Sequence, residues 1–174
     1  MNLPDKIILI GMPGSGKTTL GKEVADYLNL PFYDLDQVIE LASGMTILQI
    51  FETEGEESFR NLEAETLKKF CQTQDKYVLA AGGGTPCFFN NMEIMNQAAI
   101  TVFLDISIAA LAKRMNQSAI EKRPLFQKED INTTLESLLS QRRANYEQAR
   151  FHLVSDELFA EDIRDVLKKE PNRK

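Results

Sequence analysis

The chain has 174 residues, a hydrophobic fraction of 43% and a formal net charge of −6, which fits one ordinary globular domain and argues against nucleic acid or an anionic membrane as partner. No apolar run approaches the ~20 residues that span a bilayer, and MNLPDK is too short and too acidic for a secretory signal, so a cytoplasmic protein is expected. Cys71 and Cys87 are far apart and lack neighbouring His or Cys ligands, so they read as reduced thiols rather than a disulfide or metal pair.

The first predicted strand, Lys6–Ile10, runs into GMPGSGKTT and then a predicted helix, Lys17–Leu28. The spacing G-x-x-x-x-G-K-[ST] is a phosphate cradle when a strand enters it and a helix leaves it. Transferred phosphoryl groups carry several negative charges, and backbone N–H groups at a helix N-terminus hold them well. Gly11, Gly14, Ser15 and Gly16 shape that nest, Lys17 reaches the β- and γ-phosphates, Thr18 places its hydroxyl on Mg²⁺, and Thr19 follows among the nucleotide-binding residues. The first expectation is therefore a nucleoside-triphosphate site.

A second short strand, Phe32–Tyr33, leads into Asp34 and Asp36. Carboxylates leaving the end of a parallel strand stand where α/β sheets bind ligands, although an Asp capping the next helix looks the same in sequence. Helical spacing follows over Gln37–Phe51, interrupted at Ser43–Gly44, and over Glu57–Phe70. Arg60 and Glu63 share one face of the latter, as a plain i,i+3 ion pair would. A third strand, Tyr77–Ala81, ends at Gly82, Gly83 and Gly84, backbone that a ligand can approach closely.

Strand Ile100–Leu104 and helix Ile108–Met115 precede a polar, Pro-containing stretch, Asn116 to Asp130, whose composition suits a lid. Helix Ile131–Arg150 carries Arg143 and Tyr146, and a last strand, Phe151–Val154, is followed by a helix over Leu158–Lys169. From Leu111 to Arg150 there are eight basic and five acidic residues, a local +3 in an acidic chain that points to an anion. Continuously apolar strands alternating with helices predict a three-layer α/β fold on a parallel sheet.

In this order and at these separations, the phosphate loop, Asp34/Asp36, Ile47-x-x-x-Phe51 running into Gly55-Glu56-x-x-Phe59-Arg60-x-x-Glu63, Gly82-Gly83-Gly84, Arg123-Pro124-Leu125 and Arg143-x-x-Tyr146 resemble the shikimate kinase family. The resemblance implies a P-loop fold like that of nucleoside monophosphate kinases: a five-stranded parallel sheet, a substrate-binding insertion at about 35–61 and a lid at about 114–130. It implies transfer of the ATP γ-phosphoryl to the 3-hydroxyl of shikimate, in aromatic amino-acid biosynthesis, by a monomer with ATP and Mg²⁺. Asp36, Arg60, Gly82, Gly83, Gly84 and Arg143 would hold shikimate, with the two arginines on its carboxylate. Thr18 and Asp34 would place the metal, Arg123 and Arg114 would reach the nucleotide, and Lys17, Asp36 and Arg123 would carry catalysis.

Three departures from the family pattern are visible. Ala81 stands where the family often has a hydroxyl, Arg114 matches the family's second lid arginine only through a short insertion, and Val154 to Leu158 lacks the Arg and Pro of the adenine-contacting loop. Another small-metabolite kinase of this fold, such as a gluconate kinase, and a nucleotide-sensing domain without catalysis both stay open here. His152, Cys87 and the methionines Met92, Met95 and Met115 read as packing residues.

Overall fold

The computed structural model describes residues 3–117 and 131–169. Five strands, β1 (Lys6–Ile10), β2 (Phe32–Asp34), β3 (Tyr77–Ala80), β4 (Ile100–Asp105) and β5 (Phe151–Val154), form one sheet in the order β2-β3-β1-β4-β5. All four neighbouring pairs are parallel, so every strand ends on the same edge. Because β1 lies at the centre, the loop that follows it opens at the middle of that edge, where open α/β sheets take their ligands.

Helices α1 (Lys17–Leu28), α2 (Leu35–Ser43), α3 (Ile47–Thr73), α4 (Asn91–Ala98), α5 (Ile108–Gln117), α6 (Ile131–Tyr146) and α7 (Ala160–Leu167) cover both faces. Along β1 the side chains alternate between two cores. Ile7 and Leu9 pack with Leu20, Val24 and Ala25 of α1 and with Ile163 and Leu167 of α7. Ile8 and Ile10 face the opposite core, which includes Ile39, Ile50, Leu67, Met95, Leu111 and Leu135. Two buried faces explain why β1 is apolar at four successive positions, Ile7 to Ile10, rather than at every second one.

The expected three-layer α/β architecture and parallel sheet are thus present, with differences at the element level. The expected break at Ser43–Gly44 is present and makes two helices: Gly44 ends α2 in a left-handed conformation (φ 73°) and Thr46 caps α3 through a capping box with Gln49. The second runs on past the predicted Glu57 start and is kinked at Gly55. Helix α4 and a 3₁₀ turn at Thr85–Cys87 were not expected: NNMEIMNQA is short and its apolar spacing weak. Helix α6 stops at Tyr146, four residues before Arg150. Among the described residues no helix is long and apolar enough to cross a membrane.

Candidate active site

The backbone between β1 and α1 turns through left-handed conformations at Gly14 (φ 81°) and Gly16 (φ 95°), which a side chain would resist. Gly16 is the N-cap of α1 and no side chain caps that end, so the first-turn N–H groups face the cleft with the positive pole of the helix behind them. The Lys17 ammonium folds back over the loop, donating to the carbonyls of Gly11 and Met12 at 2.9 Å each. A cation and a ring of amides therefore converge where a polyphosphate would lie.

Thr18 and Asp34 meet across the floor of the cleft, the hydroxyl donating to Asp34 Oδ2 at 2.9 Å. Asp34 Oδ1 accepts the Asp36 N–H at 3.2 Å, so Asp34 also caps α2. The helix-capping reading of the strand-end carboxylate therefore holds for one oxygen, while the other meets the Thr18 hydroxyl beside the loop. A hydroxyl and a carboxylate are hard oxygen donors, a set that fits Mg²⁺, which takes few protein ligands and completes its shell with phosphate and water.

Asp36 is reached by water through the open mouth yet is surrounded by protein at the cleft floor. That partial burial, followed by the nearby charges of Asp34 and Glu63, raises its carboxyl from 3.8 to about 6, against the pull of Lys17. At neutral pH it is ionised and unusually basic for an aspartate.

Opposite the loop, Arg60 projects from α3 between aromatic rings, its guanidinium 4.1 Å from the Phe88 ring centroid and 5.0 Å from that of Phe59. It pairs with buried Glu63 at 3.0 Å and with exposed Glu56 at 3.2 Å. The Arg60 guanidinium packs directly on Gly84: a Cβ there would stand 2.9 Å from both terminal nitrogens, so a side chain at this position would push the fork aside. Arg142, on α6, reaches the neighbouring glycine, where a Cβ on Gly83 would stand 3.3 Å from its Nη1. That Nη1 is buried without a hydrogen-bond partner, and a buried guanidinium nitrogen left unpaired is poised for an incoming anion. Tyr146, one turn on, donates to the Gly83 carbonyl at 2.5 Å, and burial pushes its phenol up to about 12, so it stays protonated as a donor.

The phosphate loop, the two aspartates and Arg142 border a cleft of about 1050 Å³. Gly14, Gly16, Lys17, Thr18, Thr19, Asp34, Asp36, Gly82, Gly83 and Arg114 line it. Arg114 comes from α5 and donates to the carbonyls of Ser15 at 3.3 Å and Asp156 at 2.6 Å, bridging the phosphate loop to the segment after β5. Gly11 and Ser15 stand behind the loop, and Arg60 lies against Gly84 at the far end. Arg123 and residues 118–130 of the expected lid lie outside the described residues.

Arg143 requires a correction. It does not line the cleft; its two terminal nitrogens hold the Asp105 carboxylate at 3.0 Å each and it also bonds Glu147. The neighbouring Arg142 takes the position expected of it. The signal lay in the spacing: Arg142 is four residues from buried Tyr146 and seven from buried Leu135, so it shares their face of α6. Leu158 and Phe159 also line the cleft, at the segment after β5 that matches the family's adenine-contacting loop without its Arg and Pro. Thr85, fully buried beside Glu63, was likewise missed.

The shikimate kinase family model matches residues 13–169, nearly the whole chain. The chain belongs to the shikimate kinase family. A shikimate kinase of Phocaeicola vulgatus is 42% identical over 164 residues, 92% of this chain and 91% of that one. Among solved structures, shikimate kinase from Bacteroides thetaiotaomicron superposes with a TM-score of 0.84 at 36% identity, covering 95% of this chain and 96% of its own. Shikimate kinase from Acinetobacter baumannii in complex with shikimate gives 0.82 at 36% identity over 97% and 90%. Family membership thus joins a fold and a cleft that already pointed to phosphoryl transfer.

Proposed function

We propose that this protein transfers the γ-phosphoryl group of ATP to the 3-hydroxyl of shikimate, giving shikimate 3-phosphate on the route to the aromatic amino acids. The observation that carries this reading is the convergence on one cleft of a phosphate loop, a basic aspartate and Arg142, with Arg60 packed on Gly84 beside it, in a member of the shikimate kinase family. A small hydroxy acid needs just such a set: planar guanidinium forks for the carboxylate and a carboxylate for the ring hydroxyls.

In this reading the loop amides and Lys17 bind and orient the triphosphate, and Lys17 offsets negative charge as it develops on the transferring oxygens. Thr18 and Asp34 hold Mg²⁺, which when bound neutralises phosphate charge. Asp36 accepts a hydrogen bond from the acceptor hydroxyl, aligns its oxygen and is basic enough to take its proton as the new O–P bond forms. Arg60 and Arg142 bind the acceptor carboxylate against the Gly83 and Gly84 backbone, and Arg114 steadies the nucleotide side of the loop. All of these groups come from one chain, and the same reading takes the enzyme to be a monomer working in the cytoplasm, where ATP is met.

The direct test is a coupled ADP-release assay with ATP and Mg²⁺, comparing shikimate, gluconate and no acceptor. ADP released with shikimate alone is the expected result. Faster turnover with gluconate would replace the acceptor, and ATP binding without turnover on either acid would remove the kinase reading.

A further inference from the structure

Thr85 opens the 3₁₀ turn after the glycine run and is fully buried, and Glu63 beside it is only 1% exposed. The Thr85 hydroxyl donates to Glu63 Oε1 at 2.5 Å, while Oε2 of the same carboxylate accepts from Arg60 Nη1 at 3.0 Å. Thr85 is itself pinned through its backbone. Its N–H donates to the Gly82 carbonyl at 3.1 Å, and the buried Asn91 side chain donates to the Thr85 carbonyl at 3.0 Å.

A carboxylate this deeply buried is tolerated only when its oxygens are partnered. Here each oxygen has one donor, and the two donors do different work. If the hydroxyl were absent, Oε1 would be a dry, unpartnered acceptor beside the most adaptable donor in reach, the Arg60 fork. A guanidinium pairs most strongly with a carboxylate through two N–H groups at once, so Arg60 would be drawn into a bidentate pair with Glu63. Its remaining contacts do not oppose that pull. Glu56 is 61% exposed and cheaply exchanged, and stacking on Phe88 leaves the plane of the fork free to slide.

We propose that Thr85 is a positioning residue for acceptor binding: by occupying one oxygen of Glu63, its hydroxyl limits Arg60 to a single bond there, so that the rest of the fork, held through Nε and Nη2 only by exposed Glu56, can turn to the acceptor carboxylate. The assignment rests on the role given to Arg60 in the proposed function.

Thr85→Val keeps the shape and removes the donor, whereas Thr85→Ser keeps the donor. With ADP release as readout, Thr85→Val is expected to raise the KM for shikimate about tenfold while the KM for ATP stays within about twofold, and Thr85→Ser to remain within about threefold of the parent on both. Should Thr85→Val yield no folded protein, Thr85→Cys, whose thiol is a weak donor, takes its place and is expected to show a smaller rise of the same kind. A shikimate KM unchanged in the donor-poor variant, equal rises for both substrates, or a Ser variant as impaired as the Val variant would each overturn the assignment. Absence of shikimate turnover in the parent protein, measured first in the same assay, would instead overturn the function on which it rests.

Discussion

Arg142 and Arg143 are adjacent in sequence and separated by about 100° around α6, and that rotation decides their chemistry. Arg142→Ala is expected to lower kcat/KM for shikimate by about 2–5 kcal/mol, the range for removing one partner of a desolvated charge pair, with ATP binding preserved. Arg143→Ala leaves the mostly buried Asp105 carboxylate without its bidentate partner and should cost about 1–3 kcal/mol of stability, with kinetics close to the parent's. Steady-state kinetics on both variants check the assignment; a larger kinetic loss at Arg143 would restore it to the site. Asp36 makes a second prediction. Its carboxyl titrates near 6 in the fold and near 3.8 in an unstructured chain, so the folded protein holds a proton that the unfolded chain releases between those values. The stability this group contributes is therefore present below about pH 4 and lost as pH rises through about 6. Activity runs the opposite way, because the ionised form is the acceptor: kcat/KM for shikimate should fall about tenfold per unit below pH 6. Asp36→Asn should raise the melting temperature at pH 7.5 while removing turnover, and a variant both active and no more stable would contradict the assignment.

Helix α3 carries the acceptor side of the cleft, and its shape depends on Gly55. There the backbone adopts φ 82° and ψ 174°, a region open essentially to glycine, with nothing within 4 Å of where a side chain would go. The kink lets the first turns, including Ile47 at the cleft wall, pack with α2 while the remainder holds Arg60 and Glu63 against the glycines after β3. Gly55→Ala is therefore expected to cost about 1–3 kcal/mol through backbone strain alone. Differential scanning fluorimetry should register this as a fall of roughly 2–10 °C in a chain of this size, and no fall would mean that the kink relaxes without penalty. Over the same element, the separate stretches predicted up to Phe51 and from Glu57 are one helix kinked at Gly55, because apolar spacing reports burial and says little about a single glycine torsion.

At the scale of the whole molecule, ligand binding and folding are linked, because an intact phosphate loop exists only in the folded state. A non-hydrolysable ATP analogue with Mg²⁺ at about 100 times its Kd should stabilise the protein by about 2.7 kcal/mol and raise the melting temperature by roughly 5–10 °C. Lys17→Ala should lose most of that shift and nearly all turnover, while the ligand-free melting temperature stays within about 2 °C of the parent's, as for substitutions outside the core. A large ligand-free fall would show that Lys17 serves the loop's own structure through its bonds to Gly11 and Met12.

Local order was legible before any coordinates. The strand, glycine loop and helix at residues 6–28 are contiguous, so their chemistry follows from spacing; β1 and β4 announce two-sided burial by their unbroken apolar runs, Ile7 to Ile10 and Val102 to Leu104, and the glycines at 82–84 mark a close approach. Choices that depend on packing between distant segments were not legible. Asp105 at the end of β4 captures Arg143, and Thr85 reaches a carboxylate on α3, 22 residues away. Leu158 and Phe159 reach the cleft because α7 packs on α1 rather than because of any motif. A motif records which groups the chain brings along itself, whereas the partner of each side chain is decided by which faces the parallel sheet brings together.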